Sequence, residues 1–262
     1  MGWIRHRSFL RTANWLWDSI RPLHDGCWRI LARNGISRVI NGTDRIQISP
    51  RLRRMSDEYE PKVWRCLIRE VRAGDTFADI GAFHGLYACA VGKRVGKEGR
   101  VYAFKPDPNN VSFLKEHVGL NHLENIATVE NKAVSSKSGL VSFNSGRGSE
   151  SRIDVTKASG FMVPVVTIQD YFIGRKIDLL KIDVEGFEQT VLEGAMNLLK
   201  DPKRRPRAIY IEMHPFAWAV SGASSQQILT LLHQGGYELF ALDGQPVNEI
   251  KSYGEAIARP LA

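Results

Sequence analysis

The sequence predicts an α/β fold built on a mostly parallel central sheet, and two observations support that prediction. From residue 75 onward, short apolar segments alternate with segments of helical periodicity, the order expected of parallel strands joined by crossover helices. The chain has 262 residues, 43% of them hydrophobic, so it can bury a full core but cannot form two large enzyme domains. We therefore expect one main domain over residues 73–262, preceded by a basic extension over residues 1–72.

The net charge of +8 lies entirely in that extension. Residues 1–72 hold 15 Lys and Arg against 7 Asp and Glu, whereas the rest of the chain holds 21 of each. A basic front end suits an anionic surface or ligand, and a solvated face without a partner is the alternative. Cys27, Cys66 and Cys89 show no metal-ligand spacing and cannot all pair, so a reduced, cytoplasmic location is expected.

The N-terminal residues are rich in Trp and Arg. Apolar side chains recur at roughly helical spacing from Trp3 to Ile20, and arginines accompany them. One interpretation is an interfacial helix at the inner, anionic surface of a membrane, and the other is a helix packed on the domain or on a second subunit. No apolar run is long enough to span a bilayer, and no secretory signal follows the basic start. We expect residues 1–30 to serve location or assembly and not chemistry.

Each later element follows from a local pattern. Residues 36–50 predict a β-hairpin, because β-branched residues alternate on both sides of an Asn41-Gly42 turn. Core strands are predicted at T-F-A-D-I-G, R-V-Y-A-F, I-A-T-V-E-N-K-A-V, D-L-L-K-I-D-V and A-I-Y-I-E-M-H, with helices between most of them. L-V-S-F-N and F-M-V-P-V-V-T-I flank a polar loop over residues 145–160, and Y-E-L-F-A-L-D-G and E-A-I-A-R-P close the sheet.

Functional side chains are expected where the strands end, because ligands of an open parallel sheet lie beyond the carboxyl ends of its strands. The first strand runs into the turn D-I-G-A-F-H-G, in which Gly81 and Gly85 permit a tight bend close to a ligand. The second strand ends in Y-A-F-K-P-D-P. This places Lys105 and Asp107 at about the interval from Gly81 that is typical of a ribose contact.

Two further strands end in charged residues. Lys181, Asp183 and Glu185 follow one another at intervals of two, so they share a face if the fourth strand continues that far. Glu212 and His214 end the fifth strand with the same spacing. Isolated charges are costly to bury, so we predict one polar cluster that faces a cleft. A structural ion-pair network that closes the edge of the sheet is the alternative.

Taken in order, these motifs resemble the FkbM-type family of S-adenosylmethionine-dependent methyltransferases, within the Rossmann-like class I group. The resemblance covers roughly residues 40–245, and the block K-I-D-V-E-G-F-E is its most specific part. It implies a three-layer methyltransferase fold, S-adenosylmethionine as cofactor, and methyl transfer to a hydroxyl of a sugar, glycan or natural product, with no nucleic-acid partner. With the spacing above, it gives a cofactor site at Asp79, Gly81, Ala82, Phe83, His84, Gly85, Lys105, Asp107 and Asn131.

Two positions depart from the pattern of that family. Phe83 stands where the family usually has Asn, and Lys105 stands where it usually has Glu. That carboxylate would accept hydrogen bonds from both ribose hydroxyls, whereas lysine offers donors only. Losing a charged acceptor weakens binding roughly ten- to a hundredfold. Asp107 is a possible substitute acceptor.

The predicted general base is His214, because an unperturbed imidazole titrates near neutrality. Glu212 or Asp183 would orient it or act as the base, and Lys181 would hold an anionic group of the substrate. A divalent ion held by Asp183, Glu185, Glu212 and His214 is an alternative that we do not favour, because Lys181 is close.

Two other functions compete with methyl transfer. An NADP-dependent oxidoreductase would explain Lys105 as a partner of the 2′-phosphate. The turn G-A-F-H-G, however, lacks the middle glycine of the dinucleotide fingerprint. A non-catalytic nucleotide-binding relative of the methyltransferase fold is the third possibility.

Overall fold

A computed structural model of the protein describes residues 33–144, 152–153 and 161–261. The predictions for residues 1–30, an N-terminal helix and its contact with a membrane or a second subunit, lie outside these described residues. Within the described part, none of the helices is both long and apolar enough to cross a bilayer.

The predicted hairpin is present and packs on the main domain. Strands β1 (Ile36–Ile40) and β2 (Asp44–Ile48) pair antiparallel. Asn41 and Gly42 adopt positive φ angles of 50° and 71°, the conformation that such turns require. Helix α1 (Pro61–Glu70) follows the hairpin. One hydrophobic core includes side chains of the hairpin, α1 and the central sheet, among them Ile40, Ile46, Trp64, Leu67, Phe77 and Val101. The division of the chain after residue 72 stays a prediction.

The central sheet has seven strands in the described residues, and five of them are parallel. The parallel strands are β3 (Thr76–Ile80), β4 (Arg100–Phe104), β5 (Ala127–Glu130), β10 (Leu179–Ile182) and β11 (Ala208–Met213). At one edge, β12 (Tyr237–Ala241) and β13 (Gly254–Pro260) add the two predicted closing strands. The order across the sheet is β12, β13, β11, β10, β3, β4, β5, with β13 antiparallel to both of its neighbours.

Helices connect the strands and supply the outer layers. They are α2 (Leu86–Val95), α3 (Pro108–Leu120), α4 (Ile168–Tyr171), α5 (Glu188–Glu193), α6 (Met196–Leu199), α7 (Trp218–Ser221) and α8 (Ser225–Gln234). The predicted α/β class with a mostly parallel sheet is therefore confirmed.

One predicted strand is two strands in the structure. The segment I-A-T-V-E-N-K-A-V contains β5 and, after Asn131 and Lys132, the short strand β6 (Ala133–Val134). β6 belongs to a second sheet with β7 (Gly139–Asn144), β8 (Arg152–Ile153) and β9 (Phe161–Val166), in the order β6, β9, β7, β8. The Asn131 side chain donates to the carbonyls of Lys105 and Pro106, which fixes the chain where it leaves the central sheet.

The connections change direction between β3 and β10, which is where a parallel sheet opens a crevice for ligands. From β3 the chain steps outward to β4 and β5, whereas from β10 it steps the other way to β11. The two central strands are in register, with Lys181 beside Asp79. The carboxyl ends of β3 and β10 therefore frame the candidate site.

A buried histidine ties the hairpin to the turn after β3. The Nε2 atom of His117, on α3, accepts the Ser49 N–H at 2.9 Å, and Nδ1 donates to the His84 carbonyl at 2.6 Å. Burial lowers the pKa of His117, so the neutral form that can make both bonds is favoured.

Candidate active site

A cavity of about 300 Å³ opens at the carboxyl ends of β3, β4 and β10, and we call it the cleft cavity. Its wall combines residues that follow strands with two residues that precede α1. They are Tyr59, Glu60, Gly81, Phe83, Lys105, Asp183, Glu185 and Glu212. Four of these side chains are carboxylic acids and one is a cation. The predicted meeting of polar side chains from neighbouring strands thus takes place at one rim of the sheet.

A second, smaller cavity of about 40 Å³ adjoins the first and is mostly apolar. We call it the apolar cavity; its lining includes Phe104, Val134, Phe143 and Phe187. Gly81, Lys105, Asp183 and Glu185 line both cavities and so mark where the two meet. Two larger grooves of about 610 Å³ flank α1 instead, and neither is lined by these junction residues.

Strand β10 ends three residues before Glu185, and so earlier than the alternation argument needs. Lys181 lies within the strand, but the strand stops at Ile182, and Glu185 adopts a left-handed φ of 52°. The side chains of Asp183 and Glu185 nevertheless reach the junction, because the turn and not the strand pleat directs them. Gly81 approaches closely here: a Cβ atom on it would lie 1.7 Å from the Asp183 carbonyl oxygen.

Lys181 is buried beneath the cleft cavity and does not line it. Its Nζ lies 3.0 Å from Asp183 Oδ2 and 3.9 Å from Glu60 Oε2. Burial opposes the ammonium charge, but Asp183 and Glu60 outweigh it and hold the pKa of Lys181 well above its ordinary value. The predicted contact of Lys181 with an anionic substrate stays a prediction, because the Lys181 ammonium already forms an ion pair with Asp183.

Asp79 is a fully buried carboxylate that lacks hydrogen-bond donors. Neither of its oxygens has a partner among the described residues. Burial raises the pKa of Asp79 to about 7, and Asp183 adds to this while Lys181 opposes it. Leaving a charged group without a partner is costly, which favours the protonated form of Asp79. Asp79 lines neither cavity, so its predicted contact with a cofactor stays a prediction.

His214 stands at the centre of a carboxylate cluster. Its Nδ1 contacts Glu188 Oε1 at 2.8 Å, and its Nε2 lies 3.6 Å from both Glu185 Oε2 and Glu212 Oε1. Glu188 is fully buried and also accepts hydrogen bonds from Trp218 Nε1 and the Gly186 N–H, each at 2.8 Å. The imidazole is therefore held in one orientation from below, with Nε2 turned toward the cleft side.

These neighbours decide the protonation state of His214. Burial disfavours the imidazolium, but the hydrogen bond to Glu188 and the neighbouring carboxylate of Glu212 outweigh it and raise the pKa of His214 to about 10. Burial raises the pKa of Glu185, and His214 opposes this rise. Burial also opposes the charge of Glu212, but the neighbouring His214 and the hydrogen bond from Tyr253 bring its pKa below the ordinary value. At neutral pH the cluster thus already contains a protonated histidine.

This raised pKa predicts a pH dependence of stability. A group that binds its proton more tightly when folded stabilises the fold fully below its unfolded pKa near 6.5, and loses that contribution as pH rises toward 10. We expect the difference in unfolding free energy between the wild type and His214→Gln to shrink above pH 6.5, by up to about 1.4 kcal/mol per pH unit. Urea denaturation between pH 6 and 9.5 measures it, and a constant difference would contradict the assignment.

Lys105 occupies the junction as a nearly buried cation, 7% exposed. Its ammonium has no carboxylate within ion-pair distance among the described residues, and it lies 5.8 Å from the centre of the Phe83 ring. Burial lowers the pKa of Lys105, while Asp183 and Glu185 oppose that shift. The charge of Lys105 is therefore stabilised by longer-range attraction to Asp183 and Glu185 and not by a direct ion pair.

The other predicted cofactor residues serve local structure. Asp107 caps α3 by accepting the Asn109 N–H at 2.9 Å, and it does not line either cavity. Gly85 has a positive φ of 83°, and a Cβ on it would lie 2.0 Å from Leu114 Cδ1, so its role is close packing. Ala82 and His84 also lie outside both linings, as does Asn131, whose amide is engaged by the 105–106 backbone. Their predicted contacts with a cofactor stay predictions.

Phe83 is strained. Its φ is 44°, a left-handed conformation that a bulky residue rarely adopts, and its ring stacks on His84 with centroids 3.7 Å apart. We expect Phe83→Asn to raise the free energy of unfolding by about 1 kcal/mol, because Asn tolerates this conformation. Phe83→Ala is the matched control, since it loses the stacking without relieving the strain and should destabilise. Urea denaturation of both variants checks this; a less stable Asn variant would count against it.

Several cleft residues were not predicted from the sequence. Tyr59 and Glu60 come from the loop before α1, and Tyr253 donates its hydroxyl to Glu212 Oε1 at 2.5 Å. Glu188 supports His214 from within the fold. Glu188 belongs to the block K-I-D-V-E-G-F-E, and its spacing of three from Glu185 was the one available signal.

The fold is the one that the resemblance implied, that of class I methyltransferases, so the site can be compared with the cofactor of that class. The acids at the junction suit a sulfonium. Asp79 has no hydrogen-bond partner among the described residues, but it is fully buried and lines neither cavity. The phenylalanine rings of the apolar cavity offer faces on which a base could stack, but the cavity, at about 40 Å³, has to widen to admit a purine. At the ribose position the residues of the site do not match the cofactor, because Lys105 offers only hydrogen-bond donors where the ribose hydroxyls need acceptors.

Comparisons with known proteins agree with this class. The methyltransferase FkbM domain family matches residues 79–239. Hexuronic acid methyltransferase AglP of Haloferax volcanii is 27% identical over 145 residues, which cover 54% of this chain and 58% of the relative. An FkbM methyltransferase from Methylobacillus flagellatus KT aligns over 71% of this chain and 43% of its own, at 17% identity and a TM-score of 0.47.

A structure from Clostridium thermocellum assigned as an rRNA-methylase shares the fold, with a TM-score of 0.51 at 10% identity over 77% of this chain and 94% of the other. The chain spans less than two thirds of the length of AglP and of the Methylobacillus protein. Because the family match covers more than half of the chain, this protein belongs to the FkbM methyltransferase family. The resemblance predicted this family.

Proposed function

We propose that this protein transfers a methyl group to a hydroxyl oxygen of a sugar, a glycan or a sugar-containing natural product. The observation that carries the proposal is the junction, where Gly81, Lys105, Asp183 and Glu185 line both the apolar cavity and the cleft cavity. A cofactor on one side and an acceptor on the other would meet there. The name of AglP, hexuronic acid methyltransferase, supports a sugar acceptor.

When bound, S-adenosylmethionine supplies a methyl group carried on a sulfonium. The protein must hold the acceptor hydroxyl in line with that group and remove its proton as the new carbon–oxygen bond forms. His214 was the base predicted from the sequence. Because His214 already holds a proton at neutral pH, we propose that Glu185 receives the proton and that His214 positions this carboxylate.

Three features favour Glu185 over Glu212, while Asp183, which also lines both cavities, is paired with Lys181 at 3.0 Å. Glu185 lines both cavities, whereas Glu212 lines only the cleft cavity. Burial raises the pKa of Glu185, which makes it a stronger base, whereas His214 and Tyr253 lower the pKa of Glu212. Its left-handed φ of 52° is a strained conformation of the kind found at functional sites.

A divalent ion is the alternative activator of the hydroxyl. Asp183, Glu212 and His214 can each offer a ligand atom, and these atoms lie within 4.8 Å of one another. Lys181 lies on Asp183, however, and the imidazole between Glu188 and Glu212 is protonated, so a cation would have to displace both charges. We propose a metal-independent reaction, for which EDTA should leave methyl transfer unchanged.

The direct test is equilibrium binding followed by transfer. Calorimetric titration of the protein with S-adenosylmethionine, NADP and NAD should detect binding of the first alone. Mass spectrometry of a panel of sugars incubated with S-adenosylmethionine should then show addition of one methyl group to a hydroxyl. Binding of NADP in preference would support the oxidoreductase, and cofactor binding without transfer to any acceptor would support a non-catalytic relative.

A further inference from the structure

Glu60 is a cleft residue supplied from outside the segment that matches the family. It precedes α1, 19 residues before the matched segment begins at Asp79, yet it lines the cleft cavity opposite Asp183 and Glu212. Its Oε2 accepts the Tyr87 hydroxyl at 2.9 Å and lies 3.9 Å from Lys181 Nζ. The proposed base and the proton route do not involve it.

The chain holds Glu60 in an unfavourable conformation. Its φ and ψ are 41° and 55°, in the left-handed region, and it stands directly before Pro61. A residue before proline normally adopts an extended conformation. The hairpin turn enforces the exception: Asn41 Nδ2 donates to the Tyr59 carbonyl at 2.6 Å, and the Tyr59 N–H donates to Asn41 Oδ1 at 3.0 Å. Strain that the fold maintains at a cavity is a reason to look for a function.

The cavity as a whole is short of positive charge. Glu60, Asp183, Glu185 and Glu212 line it, with Asp79 and Glu188 buried behind them. Three cations oppose these six carboxyl groups: Lys105, Lys181 and His214. With a singly positive cofactor bound, the six carboxyl groups still outnumber the positive charges. Burial raises the pKa of Glu60, and Asp183 and Glu212 add to this while Lys181 opposes it. Asp79, buried and without a partner among the described residues, shows the same shortage.

An excess of one sign of charge in a cleft selects ligands of the opposite sign. We propose that Glu60 recognises a protonated amino group on the acceptor, and that the acceptor is therefore a hydroxyl compound with an amine, such as an amino sugar. This inference rests on the proposed function. The inference separates this chain from its relative AglP, which is named as a hexuronic acid methyltransferase. A carboxylate in the acceptor would face Glu60 and Glu212 and be disfavoured by like charge.

Three methyl glycosides of one ring skeleton test the inference, because they differ chiefly in charge: glucosaminide, glucoside and glucuronide. Their affinities for the full chain, measured by calorimetry with S-adenosylhomocysteine present, should fall in that order. We expect at least a tenfold difference between the first and the last. Glu60→Gln should reduce the preference for glucosaminide over glucoside about tenfold. Glu58→Gln, an exposed acid two residues away, should leave it unchanged.

Glu60→Gly is the second variant, because it removes the carboxylate and tolerates the positive φ if the Gln variant does not fold. Equal or tighter binding of the glucuronide would overturn the inference, as would an unchanged preference in both Glu60 variants or no binding of any of the three. The proposed function is judged separately, from calorimetric binding of S-adenosylmethionine and from methyl transfer. Transfer that favours the glucuronide would preserve the function and refute the role of Glu60.

Discussion

Lys105→Glu is expected to tighten the binding of S-adenosylmethionine roughly ten- to a hundredfold. The variant places a carboxylate acceptor at the end of β4, where the ribose hydroxyls of the cofactor need acceptors and the lysine offers only donors. It also removes a positive charge from a site for a cationic sulfonium. Calorimetric titration of the wild type and the variant measures the change directly.

The same substitution should destabilise the protein without ligand. Lys105 is nearly buried beside Asp183 and Glu185, and its charge partly offsets theirs. A glutamate there adds a negative charge to a cavity that already has an excess, so the free energy of unfolding should fall by about 1–3 kcal/mol. The loss should be recovered when saturating cofactor is added, because ligand that binds only the folded state stabilises it.

Two controls separate the effect of the new hydrogen-bond acceptor on cofactor affinity from the effect of the changed charge. Lys105→Gln is neutral but carries an amide oxygen, so it should show an intermediate gain in affinity. Lys132→Glu changes a lysine that lines the apolar cavity and pairs with Glu130, so it should bring no gain. Equal or weaker binding by the Lys105→Glu protein would refute the ribose assignment of this position.

The sheet could be predicted because its signal is local. Apolar strands alternate with amphipathic helices, and a parallel sheet forces the ends of its strands to one rim, so reading the residues at strand ends was enough to find Asp183, Glu185 and Glu212. The division of the third predicted strand was not predictable in this way. β5 (A-T-V-E) and β6 (A-V) follow each other in one segment with no Gly or Pro between them, and the break depends on the Asn131 side chain reaching the backbone after β4.

The parts of the site that were missed depend on contacts distant in sequence. Glu60 reaches the cleft because the preceding residue, Tyr59, is fixed by Asn41, which lies in a hairpin turn 18 residues before Tyr59. The protonation of His214 likewise depends on Glu188, a buried residue from another element. Composition and spacing report which groups are present, but a pKa depends on burial and partners, which only the fold determines.

Glu185→Gln is expected to lower kcat about 10²- to 10⁴-fold while changing cofactor affinity little. The amide of glutamine cannot remove the proton from the substrate hydroxyl, and general-base catalysis contributes a factor of this size. The substitution also removes one negative charge beside Asp183 and Glu212, so the folded protein should be as stable as the wild type or slightly more so. Single-turnover rates at saturating cofactor and acceptor, with a thermal melt of the same sample, measure both effects.

His214→Ala distinguishes a base from a residue that positions one. It leaves Glu188 fully buried without its imidazole partner, so the free energy of unfolding should fall by about 3–5 kcal/mol. If His214 only positions Glu185, the variant that stays folded at low temperature should keep part of its turnover, and its rate should still rise with pH through the Glu185 titration. If His214 is the base, as the sequence alone suggested, turnover should vanish in His214→Ala and persist in Glu185→Gln. That second pattern would refute the assignment of Glu185, and wild-type stability in His214→Ala would refute the buried ion pair.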